Sequence, residues 1–325
     1  MAFNRILIAN RGEIAIRLAR AIADCDATSV AVYAEDDAQS LHVRSADQAV
    51  ALQGQGVAAY LDAAQLIRIA KEQDCDAIHP GYGFLSENAD FARACEQAGI
   101  TFIGPAPEVL DTFGDKASAR RLAQQQGVPL TQGTNEPTTL EQARDFMQSL
   151  GEGAAVMLKA LAGGGGRGMR AVHDLAELDD AFARCSSEAT AAFGRGDLYV
   201  ERLIRRARHI EVQIIGDGAE VAHVWERDCT LQRRNQKLLE VAPAPSLDPA
   251  VREQLLAAAC TLTRAVGYRG LCTVEFLLVE ERGDFVFMEA NPRIQVEHTV
   301  TEAVTGLDLA ATQIQLAAGK TLAEL

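Results

Sequence analysis

No two of the seven cysteines in this 325-residue chain form a Cys-x-x-Cys pair, and none is spaced with histidine as a zinc ligand set would be. Cys25, Cys75, Cys95, Cys185, Cys229, Cys260 and Cys272 are an odd, dispersed set, which argues against a disulfide framework and for reduced, mostly buried thiols in a cytoplasmic protein. Aromatic residues are scarce at 5%, so stacking platforms for single-stranded nucleic acid are not expected. Positive charge is in deficit as well: 31 Lys and Arg against 45 Asp and Glu leave a net charge of −14, which disfavours nucleic acid or an anionic membrane as a partner. No uninterrupted apolar run reaches the ~18 residues of a membrane span. The N-terminus meets Arg5, Arg11 and Glu13 too early for a secretory leader.

What is present begins with alternation. The runs "RILIA", "SVAVYA", "DAIHP" and "TFIGP" are separated by helical patterns, the signature of βαβ units and a doubly wound parallel sheet whose ligands gather at the carboxyl ends of its strands. After the first strand, "NRGEIA" offers only Gly12 where a dinucleotide fingerprint needs three glycines, so nicotinamide binding is rejected. The turn-rich "HPGYGFLSEN" (79–88) is either a structural loop or a functional surface. A helix within 114–133 stops at Gly127-Val128-Pro129, and a second unit begins there.

In "KALAGGGGRGMR" (159–170) the glycine run is entered from an apolar strand rather than from Ser or Pro, which favours a phosphate grip over a linker. Lys159 ends that strand, where an ammonium needs an anionic partner. Lys116 is a further candidate for the same anion.

The segment 271–298 carries the chemistry. If a hairpin loop spans Glu280–Asp284, Val279 faces Phe285, Leu277 faces Phe287 and Glu275 faces Glu289. Two carboxylates opposed in an apolar ladder repel each other, so a cation is expected between them unless both are exposed edges. Magnesium suits hard oxygen ligands, with Asn291 able to complete the shell. Beyond Pro292, an extended row would put Arg293, Gln295 and Glu297 on one side and Ile294 and Val296 on the other, an arrangement that could hold a small anion beside a carboxylate base. In the hairpin after 209, His209, Glu211 and Gln213 share a face, and His209 reads as structural or functional. "QRRNQK" (232–237) is a solvated basic turn or an anion site.

Together these stretches resemble the biotin carboxylase component of biotin-dependent carboxylases, a branch of the ATP-grasp enzymes. The likeness runs in order along the chain: "ILIANRGEIAIR", "HPGYGFLSEN", "FIGP", "GDK", the glycine loop, "RHIEVQ", "ERDC", "APAP", "VEF" and "NPRIQVEHTVTE". It implies an α/β fold with a Rossmann-like N-terminal domain (1–113) and an ATP-grasp domain (114–325), the latter with a mobile lid at about 130–203 and an incomplete C-terminal part, 204–325. It also implies site roles. Lys116, Lys159 and His209 would contact ATP phosphates, with Gly163, Gly164, Gly165, Gly166, Gly168 and Met169 in the lid. Glu201 and Leu203 would lie near adenine or ribose, with Gln232 and Asn235 also holding the nucleotide. Glu275, Glu289 and Asn291 would hold magnesium or manganese. Lys237, Arg293, Gln295 and Val296 would form a bicarbonate pocket, and Glu297 would be the base.

The implied function is ATP- and bicarbonate-dependent carboxylation of biotin on a carrier domain, serving an acyl-CoA carboxylase. The alternatives are a urea-type or pyruvate carboxylase, another ATP-grasp ligase such as a carbamoyl-phosphate synthetase half, and a truncated ATP-binding module without catalysis. Implied partners are a biotin carboxyl carrier domain, a carboxyltransferase and a second copy of the chain. Departures from the family pattern are Asn235 for a common histidine, Ala162 for a glycine and Arg202 for a lysine. Family members also continue past Leu325, and no Lys follows a Met directly, so a biotin-attachment motif is absent here.

Overall fold

The computed structural model describes residues 2–134, 136–161, 168–233, 236–279 and 283–325. The N-terminal sheet is parallel, in the order β3-β2-β1-β4-β5, from β1 (Arg5–Ile8), β2 (Thr28–Tyr33), β3 (Gln48–Ala51), β4 (Ala77–His79) and β5 (Thr101–Phe102). Ile6, Leu7 and Ile8 are all fully buried because helices cover both faces, as a continuous apolar run in a parallel sheet requires. One face packs Leu7, Val30, Val32 and Ile78 with Leu66, Ile69 and Phe91. The other packs Ile6 and Ile8 under Ile14, Leu18 and Ile22 of helix Gly12–Asp24, and the same cluster runs on to Leu309, Ile314 and Leu316. The edge strand β3 escapes the sequence pattern because Gln48, Ala49 and Ala51 are exposed, leaving no apolar stripe to read.

The central sheet is antiparallel, in the order β10-β9-β13-β14, from β9 (Arg208–Asp217), β10 (Val221–Asp228), β13 (Arg269–Val279) and β14 (Asp284–Asn291). Its alternation divides labour between two faces. Ile210, Val212, Ile214, Val274, Phe276 and Leu278 pack against Leu255, Ala259 and Leu262 of helix Pro249–Ala265, while His209, Glu211, Gln213, Thr273 and Glu275 form the opposite face. The ribbon of β11 (Gln232–Arg233) and β12 (Gln236–Lys237) lies beyond β10.

A third sheet, β7-β6-β8, is built from β6 (Val156–Ala160), β7 (Met169–Val172) and β8 (Leu198–Arg202) and is backed by helices Leu140–Ser149 and Leu178–Phe193. Thr139 and Gln142 close a reciprocal cap at the start of the first of these helices. Residues 129–134 stitch this sheet to the central one: Phe287 N donates to Pro129 O at 2.8 Å, and Arg202 N donates to Gln132 O at 2.8 Å. No described helix is long and apolar enough to cross a membrane.

Two sequence expectations need correction. The hairpin pairs Val279 with Asp284, Leu277 with Val286 and Phe276 with Phe287, one residue out of the expected register. A β-bulge between Glu275 and Phe276 then restores phase, so Glu275 does face Glu289. Residues 293–297 do not continue the strand either. The chain turns after Asn291, and Glu297 becomes the N-cap of helix His298–Thr305, which leaves Val296 61% exposed while Ile294 and Gln295 are buried.

Candidate active site

The polar face of the central sheet, strands β6, β7 and β8 and the loop after β4 enclose a cavity of about 970 Å³. Lys116, Lys159, Met169, Glu201 and Leu203 line it. His209, Gln232, Glu275, Glu289, Asn291, Lys237, Arg293, Gln295, Val296 and Glu297 line it as well. Tyr82 and Gly83 of the "HPGYG" loop also reach the cavity, so that loop borders the site. Gly163, Gly164, Gly165, Gly166 and Asn235, together with Ala162, lie outside the described residues. Gly168 sits behind Met169 at φ +65°, where a Cβ would come within 2.9 Å of Ala160 Cβ.

At the centre Lys237 Nζ donates to three carboxylates: to Glu275 Oε1 at 3.1 Å, to Glu297 Oε1 at 2.5 Å, and to Glu211 Oε2. The basic turn thus aims one ammonium inward. Glu275 is further fixed by Asn291 Nδ2 at 2.8 Å and Gln295 Nε2 at 3.2 Å, and its Oε2 lies 2.6 Å from His209 Nε2. Gln232 Nε2 reaches His209 Nδ1 at 2.8 Å and so orients the ring. Glu211 Oε1 accepts from Arg227 Nε at 2.5 Å, and the fully buried Arg227 also donates to Gln213, Thr273, Gln295 and Thr301. Arg293 is held by Glu87 and, through Nη2, by Asn291 Oδ1 at 3.1 Å.

Electrostatics separate the two opposed carboxylates. Burial alone would raise Glu275, but Lys237 and His209 outweigh it and hold this carboxyl well below the usual range. Glu289 is pushed up by burial and by the charge of Glu275, offset in part by Lys116 and Lys159. It makes no side-chain hydrogen bond among the described residues. A cavity-lining, under-neutralised carboxylate beside a second carboxylate and an amide oxygen fits a hard divalent cation. Burial lowers Lys116, and the charge of Lys159 adds to that. Lys159 goes the other way: burial opposes its charge, but Glu201 more than compensates. The anion expected beside Lys159 is therefore supplied within the chain, by Glu201.

Sequence reasoning left Arg227, Arg120, Glu87 and Glu240 unassigned. The Glu240 carboxyl lines the cavity with both oxygens buried and unpartnered, and burial together with Glu211 pushes it up to about 8. Arg120 had a readable signal, since it stands four residues after Lys116 and so on the same helix face. Buried Arg227 had none, because periodicity does not reveal which charged residue of a strand turns inward.

Comparison with known proteins places these features in context. Residues 2–110 match the family described as biotin carboxylase, N-terminal domain, and residues 115–325 match the carbamoyl-phosphate synthase L chain, ATP binding domain. The chain is 52% identical over 328 residues to pyruvate carboxylase 1 of Caenorhabditis elegans, covering 99% of this chain and 28% of that protein. It thus spans little more than a quarter of the length of that relative. The biotin carboxylase domain of a single-chain bacterial carboxylase is 57% identical, with a TM-score of 0.89 over 99% of this chain and 69% of that one. The biotin carboxylase domain dimer of Hydrogenobacter thermophilus 2-oxoglutarate carboxylase, solved with MgADP, ADP and bicarbonate, is 43% identical, with a TM-score of 0.94 over 99% of this chain and 71% of that one.

Proposed function

Because the chain belongs to the biotin carboxylase family of ATP-grasp ligases, we propose that it phosphorylates bicarbonate with ATP and passes the resulting carbon dioxide to biotin. The observation that carries this reading is the Lys237 ammonium joined to Glu297 and placed in one cavity with Arg293, Lys116 and Lys159. Arg293 and Lys237 supply the charge for a small anion, and Glu297 accepts the proton of bicarbonate. The freed oxygen attacks the γ-phosphorus of ATP, ADP departs, and carboxyphosphate forms. Carboxyphosphate then breaks down to carbon dioxide and phosphate; the phosphate takes the N1 proton of biotin and N1 bonds to the carbon dioxide.

Lys116, Lys159 and His209 are proposed to grip the ATP phosphates, and Met169, Glu201, Leu203 and Gln232 to border the nucleotide. Glu275, Glu289 and Asn291 are proposed to hold magnesium, which would neutralise charge on the phosphates. The chain's own contribution is positioning and charge neutralisation in a site laid out before substrate arrives.

The N-terminal match and the Glu297–Lys237 pair favour biotin carboxylation over a carbamoyl-phosphate synthetase half. Among acceptors we favour a 2-oxo acid such as pyruvate over an acyl-CoA, on the 52% identity to a pyruvate carboxylase. A biotin carrier domain and a carboxyltransferase are the proposed partners, and a second copy of this domain is a third, on the likeness to a domain solved as a dimer. The test is magnesium-dependent ATP hydrolysis with and without bicarbonate and free biotin, on this chain and on Glu297→Gln. Bicarbonate-stimulated hydrolysis that the variant lacks supports the reading; hydrolysis indifferent to bicarbonate and to the substitution overturns it.

A further inference from the structure

Glu201 is buried with two cations on it. Lys159 Nζ meets its Oε1, and Arg120 Nη1 stands 3.4 Å from its Oε2. The two cations differ in what else they can reach. Lys159 lines the nucleotide cavity, whereas Arg120 does not. Arg120 is 4% exposed, donates through Nη2 to Thr131 O at 2.9 Å and lies over the Tyr199 ring with its guanidinium carbon 5.7 Å from the centroid. Three elements hold it in place: its own helix Lys116–Gln125, the connecting segment at Thr131, and β8.

We infer that Arg120 is a positioning residue for nucleotide binding: it keeps Glu201 neutralised when Lys159 turns from that carboxylate to a phosphate. The inference rests on the nucleotide reading of the cavity given above. A buried carboxylate stripped of its only cation is strongly unfavourable, so a site in which Lys159 were the sole partner of Glu201 would resist releasing it. Arg120 removes that obstacle without touching the ligand. One helix therefore serves the site twice, with Lys116 in the cavity and, one turn on, Arg120 behind it.

The coupling should appear only with ligands that carry phosphates. Calorimetric titrations of MgATP, MgADP and adenosine, the last by competition against MgADP, are compared for the wild type, Arg120→Gln, Glu201→Gln and the double variant. Arg120→Gln should weaken MgATP and MgADP about tenfold and leave adenosine unchanged. Combining it with Glu201→Gln should restore the preference for phosphate-bearing ligands over adenosine. Glu201→Gln alone should raise that preference above the wild type, which tests the idea even if Arg120→Gln does not fold. Equal losses for all three ligands, or an unchanged preference in Glu201→Gln, overturn the inference. Failure of the wild type to bind any of the three ligands overturns the nucleotide reading itself, and this inference with it.

Discussion

Glu275 and Glu289 face each other across the β13–β14 ladder, yet among the described residues only Glu275 is neutralised by hydrogen-bonded partners. Lys237, Asn291, Gln295 and His209 crowd the first, while the second meets cations only at longer range.

That asymmetry predicts opposite signs for one substitution. Glu289→Gln should raise the melting temperature of the metal-free protein, because a like charge beside Glu275 is removed. The same variant should lose most of the stabilisation that MgADP gives the wild type, about 2.7 kcal/mol at a hundredfold excess over Kd. Thermal melts with and without MgADP read both effects.

Arg227 gives a stability prediction. Arg227→Ala leaves Glu211 with Lys237 and the Cys229 thiol and takes one partner each from Gln213 and Gln295, so a loss of about 3–5 kcal/mol is expected in urea denaturation. Replacing Arg227 and Glu211 together by Met should recover most of it, since no uncompensated charge then remains. A double variant as unstable as the single one would show that the pair itself is not the source.

Glu240 sets a pH dependence. Its carboxyl sits at about 8 in the folded chain against an ordinary 4.5, so the folded state holds this proton more tightly than the unfolded state does. The resulting stability is fully present below about 4.5 and is lost as pH climbs to about 8. Glu240→Gln should therefore gain on the wild type progressively between those values and hold a constant lead above them. Melting temperatures measured across pH 4 to 9 would reveal a flat difference if Glu240 does not titrate in this window.

Gly168→Ala tests the contact between β6 and the start of β7. Its positive φ and the 2.9 Å approach to Ala160 Cβ force a shift in β6, whose Ala160 N donates to Gly168 O at 2.8 Å. A local cost of about 1–3 kcal/mol is expected, with faster hydrogen exchange in 156–160 and weaker MgADP binding. Unchanged exchange there would place the constraint elsewhere.

The parallel sheet, strand β6 and the opposed carboxylates were legible because each rests on a local period or a local contradiction. Glu275 and Glu289 stood out as charges in apolar strands, and Lys159 as a charge at a strand end. The extended row after Pro292 was misread because alternation over five residues does not distinguish a strand from a turn that leads into a helix. Arg227 and Glu240 were invisible for another reason. Their surroundings come from β9, β12 and helix His298–Thr305, which meet only in the folded chain. The same holds for Lys159, whose partner Glu201 lies forty-two residues away on the neighbouring strand.

The bulge at Glu275 means that the two ends of the β13–β14 hairpin are out of step by one residue. Side chains near its tip can change direction or spacing without rotating Glu275 and Glu289 away from each other, because the slip between them absorbs the difference. The carboxylate pair is thus separated from its own turn by that slip. Deleting Met288, the residue without a partner across the ladder, should therefore regularise the pairing while keeping Glu289 opposite Glu275 on the same face of the sheet.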